Sequence, residues 1–196
     1  MWIALASLAG LFAFALWARM IMANPRREFA SGLIWHLLRL NARWMHRLEV
    51  RGVEHIPEGE FPGPLIVVSN HTAGVDPILI QSVLRFEIRW LMASDMRVPA
   101  LEPFWKYANM IFVDRTGKDS MGPRQGIAHV KAGGVLGIFP EGGLERPART
   151  ICPFMSGVGL IIKRTGAPVL PIVVTGTPIA DQAWTSLVRR LSLIHI

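Results

Sequence analysis

The sequence predicts an α/β domain in which helices flank a largely parallel or mixed sheet, preceded by an N-terminal hydrophobic two-helix membrane anchor. Between about residues 49 and 174, short apolar runs rich in valine and isoleucine alternate with longer segments of helical periodicity. Such alternation is typical of strands that alternate with helices. Residues 1–23 are almost wholly apolar. The length of 196 residues is sufficient for one domain and a short appendage.

The first segment predicts a helix that spans or re-enters a membrane. Residues 1–18 carry no charge, and the apolar character continues to residue 23, which reaches the roughly 20 residues that a bilayer-spanning helix needs. A cleaved signal peptide is the alternative, but the basic segment that begins such peptides is absent here. Arg19, Arg26 and Arg27 follow the apolar stretch, so the positive-inside rule predicts that the chain after it lies on the cytoplasmic side.

Residues 28–48 predict a second, amphipathic helix at the membrane surface. Arg39, Arg43 and Arg47 step by four along one face, and this spacing predicts a basic stripe for anionic lipid. An ordinary amphipathic helix packed on the domain is the alternative. We place the boundary between anchor and domain at residue 48. The apolar positions that recur at helical spacing are Phe29, Leu33, Ile34, Leu37, Leu38, Trp44, Met45 and Leu48.

Residues 49–190 are predicted to form the globular domain. Its last strand contains Pro171 and follows Pro168, which predicts an edge position or a bulge because proline cannot donate to a β ladder. Residues 191–196 continue no pattern, and we interpret them as a cloning scar outside the fold, with the natural C-terminus missing. Strands are expected at 49–53, 65–69, 88–93, 110–113, 135–139 and 169–174, and helices at 77–85, 99–108, 122–132 and 155–164.

The loop after the strand at 65–69 carries His71 and Asp76. This strand is rich in β-branched residues and bounded by turn residues, so it is predicted to be buried and to deliver the loop to an end of the sheet. A histidine oriented by a carboxylate acts as a general base near neutral pH. The alternative is structural: Asp76 caps a helix that starts at Pro77, and His71 bonds only the loop.

Two further strands end in polar residues. Arg115 follows the strand at 110–113 and is suited to clamp a phosphate with its planar guanidinium; the alternative is a surface pair of Asp114 and Arg115. Glu141 and Gly142 follow the strand at 135–139. Glycine permits close approach of a ligand to the backbone, and Glu141 offers a carboxylate; the alternative there is a solvated turn.

Charge and cysteine content restrict the classes of partner. Lysine and arginine number 21 against 14 aspartate and glutamate, giving a net charge of +7, which suits lipid head groups, phosphates or nucleic acid. We expect no nucleic-acid partner, because no binding motif is present and much of the basic charge lies near the anchor. The single cysteine, Cys152, excludes an intramolecular disulfide. Six scattered histidines without a cysteine cluster do not indicate a zinc site.

Four motifs in order resemble those of the glycerolipid acyltransferases, of the 1-acylglycerol-3-phosphate or lysophospholipid acyltransferase type. The resemblance covers residues 50–177, and the hydrophobic N-terminus is similar to that of bacterial members. The motifs are Asn70-His71-x4-Asp76, Ile111-Phe112-Val113-Asp114-Arg115, Phe139-Pro140-Glu141-Gly142 and Pro168-Val169-Leu170-Pro171.

The resemblance implies a role for each matching residue. His71 is implied to be the general base and Asp76 its orienting partner. Arg115 is implied to bind the phosphate of the acceptor, and Glu141 and Gly142 to belong to the block that binds its glycerol-phosphate part. No metal and no organic cofactor are implied.

The sequence departs from the family at two places. After the third motif the family usually has Thr-Arg, but Gly143 and Leu144 stand here, and we expect Arg146 to substitute for the missing arginine. Asn109 replaces the small residue that usually precedes the second motif. These departures concern the choice of acceptor more than the chemistry.

We therefore expect a membrane-bound O-acyltransferase with its site on the cytoplasmic face. It would move an acyl chain from acyl-ACP or acyl-CoA to the free hydroxyl of a lysophospholipid, with 1-acylglycerol-3-phosphate as acceptor and phosphatidate as product. Three alternatives stay open: another lysophospholipid acceptor, a non-catalytic protein that binds anionic membrane lipid, and a metal-dependent phosphoesterase. The last would use His71, Asp76, Asp114 and Glu141 as ligands.

Overall fold

A five-stranded parallel sheet with the strand order β4-β3-β5-β2-β6 forms the centre of the chain. The computed structural model describes residues 2–115, 120–147, 150–177, 186 and 194–196. The α/β fold with helices around a parallel sheet is thus confirmed. The strands are β1 (Leu48–Glu49), β2 (Leu65–Ser69), β3 (Arg89–Ala93), β4 (Ile111–Val113), β5 (Val135–Ile138), β6 (Val169–Ile172) and β7 (Ile194–His195). The helices are α1 (Trp2–Met22), α2 (Phe29–Met45), α3 (Asp76–Val83), α4 (Glu102–Tyr107), α5 (Met121–Lys131) and α6 (Ser156–Thr165).

The two central strands, β2 and β5, are apolar on both faces because helices cover the sheet on both sides. Alternate residues of a strand point to opposite faces, and the two faces have separate cores. Val67 packs with residues of α2 and α3 on one face, whereas Ile66 packs with residues of α5 and α6 on the other. Because all five strands are parallel, their carboxyl ends and the loops that follow them lie at one edge.

Strand β6 lies at the edge of the described sheet, as its two prolines predicted. It pairs only with β2, and Pro171 stands opposite Val68. The missing N–H of proline therefore costs no ladder bond on the side that has no partner strand.

Among the described residues, one helix, α1, is long and apolar enough to cross a bilayer. Its side chains are almost all exposed, whereas α2 packs on α3 of the domain. The turn between the two helices is tied to the domain, because Arg26 pairs with Glu87 and donates to the carbonyl of Tyr107 at 2.7 Å. Of the two helices expected in the membrane anchor, α1 is thus exposed and apolar, whereas α2 is packed on the domain.

The expected basic stripe of α2 is only partly present. Arg39 does not face lipid: it donates to the carbonyls of Ser82 at 3.1 Å and Leu84 at 3.4 Å. These carbonyls lie at the C-terminal end of α3, where backbone acceptors lack partners within the helix and therefore attract a cation. Arg43 and Arg47 are exposed, so two of the three arginines remain at the surface.

The buried and exposed faces of α2 are the reverse of those of an ordinary amphipathic helix. Small or polar residues face the domain, with Ser31, Gly32 and Ala42 buried. Large apolar residues that recur every three to four positions are exposed instead. They are Phe29, Leu33, Leu37, Leu40 and Trp44.

The C-terminal residues take part in the fold, contrary to the expectation that residues 191–196 lie outside it. Residues 191–193 are outside the described part, but Ile194 is fully buried and stands opposite Leu48 in the parallel pair of β1 and β7. Ile196 accepts from the N–H of Arg51 at 2.8 Å. The apolar residues Ile194 and Ile196 alternate with His195, a pattern that is typical of a strand, and this segment pairs with the edge of β1. The strand expected at 49–53 is reduced to β1, Leu48–Glu49, because Gly52 turns the chain with a φ of +73°.

Candidate active site

The loop between β2 and α3 is fixed at its start by Asn70. The side-chain amide of Asn70 donates to the carbonyl of Val174 at 2.9 Å, and its oxygen accepts from the N–H of Val174 at 2.8 Å. A side chain thereby continues the backbone pairing of β2 and β6 beyond the end of the ladder. The next residue, His71, is delivered at the carboxyl edge of the sheet in a fixed direction.

His71 and Asp76 meet, as the spacing predicted. The Nδ1 atom of His71 lies 3.1 Å from Oδ2 of Asp76. Asp76 is fully buried, whereas the His71 side chain is 17% exposed. An ionised carboxylate can only accept, so this contact places the proton on Nδ1 and leaves the Nε2 lone pair available. No group in the described part of the chain is seen to bond Nε2.

The carboxylate of Asp76 is also held by the loop that precedes it. It accepts from the backbone N–H groups of Thr72 at 2.7 Å and Ala73 at 2.8 Å, and from the Thr72 hydroxyl at 3.1 Å. Asp76 is the first residue of α3, and the N-cap position belongs to Val75. The alternative in which Asp76 caps the helix is therefore wrong: its carboxylate turns back to the loop.

The His71 ring lies flat against Phe139, which in turn lies against Trp90. The first pair of ring centres is 4.0 Å apart with 15° between the planes, and the second is 4.8 Å apart with 11°. The sequence motifs include Phe139 but give no indication of Trp90. A signal was present in Gly137, a glycine inside a strand that is otherwise large and apolar.

The segment 140–146 bonds both backbone groups of His71, its N–H and its carbonyl. Oε1 of Glu141 accepts from the N–H of His71 at 3.3 Å, and Oε2 accepts from the N–H of Cys152 at 3.1 Å. The N–H of Glu145 donates to the carbonyl of His71 at 2.8 Å. The Glu141 carboxylate thus bonds the protein backbone, which excludes the alternative of a solvated turn.

Gly142 follows Glu141 in this turn and lies close to Met155. It adopts a φ of +71°, in the left-handed region that glycine tolerates best, and an added Cβ would lie 3.1 Å from Cγ of Met155. This glycine therefore shapes the turn that brings Glu141 to His71.

Arg115 lies beside the same segment. A Cβ on Gly143 would be 3.6 Å from Nη1 of Arg115. The guanidinium makes two bonds to Asp95, at 3.2 Å and 3.0 Å, so its partner is Asp95 and not the Asp114 of the alternative interpretation. Arg146 is exposed, and its Nη1 donates to the carbonyl of Glu145 at 2.6 Å. The segment thus bonds the predicted base and lies beside the predicted phosphate ligand.

The left-handed backbone of Asn109 accounts for one departure from the family pattern. Its φ is +50°, and asparagine is among the few residues with a side chain that adopt this region readily. Asn109 therefore fits a position where a small residue is usual.

In the described part of the chain, no three His, Cys, Asp or Glu side chains are grouped so that they could hold a metal ion. His71, Asp76, Asp114 and Glu141 therefore do not form the ligand set of the metal-dependent phosphoesterase alternative.

The family model named Acyltransferase matches residues 47–175. A 1-acyl-sn-glycerol-3-phosphate acyltransferase, BAT2, chloroplastic, of Brassica napus is 25% identical in an alignment of 182 residues that covers 86% of this chain and 51% of that protein. The chain thus spans about half the length of this relative. The crystal structure of the 1-acyl-sn-glycerophosphate (LPA) acyltransferase PlsC from Thermotoga maritima matches with a TM-score of 0.64 at 22% identity, over 86% of this chain and 69% of that chain. This likeness shows a shared fold.

Proposed function

Since the chain belongs to the acyltransferase family, we propose that it transfers a fatty acyl group from a thioester to the free hydroxyl of a lysophospholipid. The observation that carries this proposal is the contact of 3.1 Å between His71 and Asp76 at the edge of the sheet where a substrate can reach the ring. A base held in one tautomer is the group that such a transfer needs.

In the proposed reaction, Nε2 of His71 removes the proton of the acceptor hydroxyl as its oxygen attacks the thioester carbonyl. The tetrahedral intermediate then collapses, the bond between carbon and sulfur breaks, and the thiolate takes the proton from the imidazolium. The products are an ester and a free thiol. General base catalysis contributes about 10² to 10⁴ in rate, and holding both substrates together supplies a further share. Neither a covalent enzyme intermediate nor a cofactor is needed.

For the acceptor we propose 1-acylglycerol-3-phosphate, with phosphatidate as product. Both relatives are named as acylglycerophosphate acyltransferases. In this chain, Arg115 would bind the phosphate after exchanging its partner Asp95, because a guanidinium forms paired bonds with phosphate as readily as with carboxylate. Gly142 would give the glycerol part access to the backbone, Glu141 would shape that block through its hold on His71, and Arg146 would add positive charge.

We further propose that the protein is anchored in a membrane by α1 and that α2 lies at the surface of that membrane. The apolar side chains of α1 and the exposed face of α2 both lack cover in the described structure, and a bilayer would supply it. Arg43 and Arg47 are then available for anionic lipid. By the positive-inside rule, Arg19, Arg26 and Arg27 favour an active site on the cytoplasmic face.

The proposal is tested with the purified full chain in lipid vesicles. Release of thiol from acyl-CoA and from acyl-ACP is followed with lysophosphatidate and then with other lysophospholipids as acceptors. We expect turnover with lysophosphatidate and a loss of about 10² to 10⁴ in kcat for His71→Ala. His55→Ala is the matched control, because His55 is exposed and pairs with the neighbouring Glu54.

Three results would contradict parts of the proposal. Full activity of His71→Ala would remove the assigned base. Turnover with a different lysophospholipid but not with lysophosphatidate would change the acceptor. Vesicle binding without turnover of either thioester would favour the non-catalytic lipid-binding alternative.

A further inference from the structure

We propose that Phe139 and Trp90 are positioning residues of the transfer reaction, because their stacked rings hold the imidazole of His71 in the orientation that the proton transfer needs. The inference rests on the proposed role of His71 as general base. It concerns two side chains that neither the motif comparison nor the contact with Asp76 assigns to the reaction.

The geometry shows why the contact with Asp76 is insufficient alone. Hydrogen bonds tolerate angular deviations of tens of degrees, so the single bond to Nδ1 still leaves the ring some rotation about the Cα–Cβ and Cβ–Cγ bonds. Such rotation would swing Nε2 out of line with the acceptor hydroxyl. The flat contact with Phe139, 4.0 Å between centres and 15° between planes, removes this freedom. One point and one plane together define a single direction for Nε2.

Phe139 is itself supported from behind. Trp90 in β3 is 5% exposed, and its ring lies 4.8 Å from Phe139 at an angle of 11°. Trp90 pairs with Gly137 of the neighbouring strand β5. A Cβ on Gly137 would lie 2.4 Å from Cε3 of the indole, so only glycine leaves room for this ring to lie over the strand. The stack therefore starts in the core of the sheet and ends at the base.

The same chain segment holds both parts of His71. Phe139 contacts the ring, while Glu141 and Glu145 bond its backbone. Two independent restraints thus converge on one residue from one turn. A histidine that only bonded the loop would not need a flat contact on its ring.

The experiment compares Phe139→Leu with Phe139→Tyr in the full chain in vesicles. Leucine removes the flat face, and tyrosine keeps it. For Phe139→Leu we expect kcat to fall about 10- to 100-fold, the scale expected when a reacting group is slightly misplaced, with KM for both substrates changed less than about twofold. Phe139→Tyr should restore most of kcat. Phe104→Leu is the matched control, since Phe104 is half exposed on α4 and packs on Trp105.

A second pair, Trp90→Leu and Trp90→Phe, decides the question if Phe139→Leu fails to fold. The inference predicts a smaller loss of kcat for Trp90→Leu and recovery for Trp90→Phe. An unchanged kcat in a folded Phe139→Leu variant overturns the inference, and so does an equal loss with tyrosine. If His71→Ala keeps the wild-type rate, the proposed function falls and this inference with it. If His71→Ala is inactive while Phe139→Leu is fully active, only the inference falls.

Discussion

Replacing Asp76 with asparagine removes one charge at the centre of the site and almost no volume. The fully buried carboxylate accepts from the N–H groups of Thr72 and Ala73 at 2.7 and 2.8 Å and lies 3.1 Å from Nδ1 of His71. The three nitrogen atoms all bond the same oxygen, Oδ2, so an amide oxygen placed there can still accept from them. The amide N–H group then replaces Oδ1 and faces the Thr72 hydroxyl, which can accept. Because the negative charge is lost, we expect both the stability of the fold and the rate of the reaction to fall.

The magnitude for stability follows from the lost charge. A hydrogen bond to a charged group contributes about 1.5–3 kcal/mol and one between neutral groups about 0.5–1.5 kcal/mol, so neutralising the acceptor of the two backbone N–H groups lowers the free energy of unfolding by roughly 2 kcal/mol. Single domains commonly have about 5–15 kcal/mol, so the variant remains folded at room temperature. Without the negative charge, the imidazolium that forms on His71 during proton transfer is no longer stabilised, and kcat should fall by about 10² to 10⁴, the whole share of general base catalysis.

The assay combines denaturant unfolding with the thiol-release rate at saturating lysophosphatidate. Glu58→Gln is the matched control, because it makes the same change from carboxylate to amide at an exposed position. We expect this control to match the wild type in both measurements. A folded Asp76→Asn variant with the wild-type kcat would refute the reasoning, since the histidine would then need no carboxylate.

Three other changes give separate expectations. Glu141→Gln leaves one oxygen for the two N–H donors, so the free energy of unfolding should fall by about 1–3 kcal/mol together with kcat; thermal unfolding and turnover check this, and no change in either contradicts it. Asp95→Asn releases Arg115 from an exposed ion pair worth about 0.2–1 kcal/mol, so KM for lysophosphatidate should fall about 1.5- to 5-fold at low salt, and an unchanged KM in initial-rate kinetics contradicts it. Burial lowers the pKa of His46 below its ordinary value, and its Nδ1 has no partner in the described residues. The unfolded state therefore takes up the proton more readily, and stability present above the unfolded pKa of about 6.5 is lost as the pH falls below it. His46→Leu should flatten this loss in unfolding measured between pH 5 and 7.5, and equal slopes for both proteins contradict it.

The sequence was sufficient for features that depend on neighbours along the chain. Strands β2 and β5 were visible as β-branched runs, and the edge position of β6 followed from Pro171. Parallel strands place their ends together, so loops after different strands were expected at one edge. The meeting of His71 and Asp76 also needed only a short loop.

Features that depend on long-range neighbours were missed for a physical reason. The stack of Trp90 on Phe139 requires β3 to lie beside β5, and strand order is not encoded in local periodicity. The spacing of Arg39 fits a lipid-facing stripe, but its guanidinium bonds nearby carbonyls at the end of α3. No local pattern predicts a strand at Ile194, because its partner β1 lies far away in sequence.

Different residues of the turn at 140–146 lie against different parts of the site. Its ends, Glu141 and Glu145, secure the backbone of the base, while Gly143 between them lies next to Arg115. Under the roles proposed for Arg115 and His71, head-group preference can change at Gly143 without disturbing proton transfer. Selection or directed evolution for new lipid acceptors should then accumulate substitutions at residue 143 and spare the flanking glutamates.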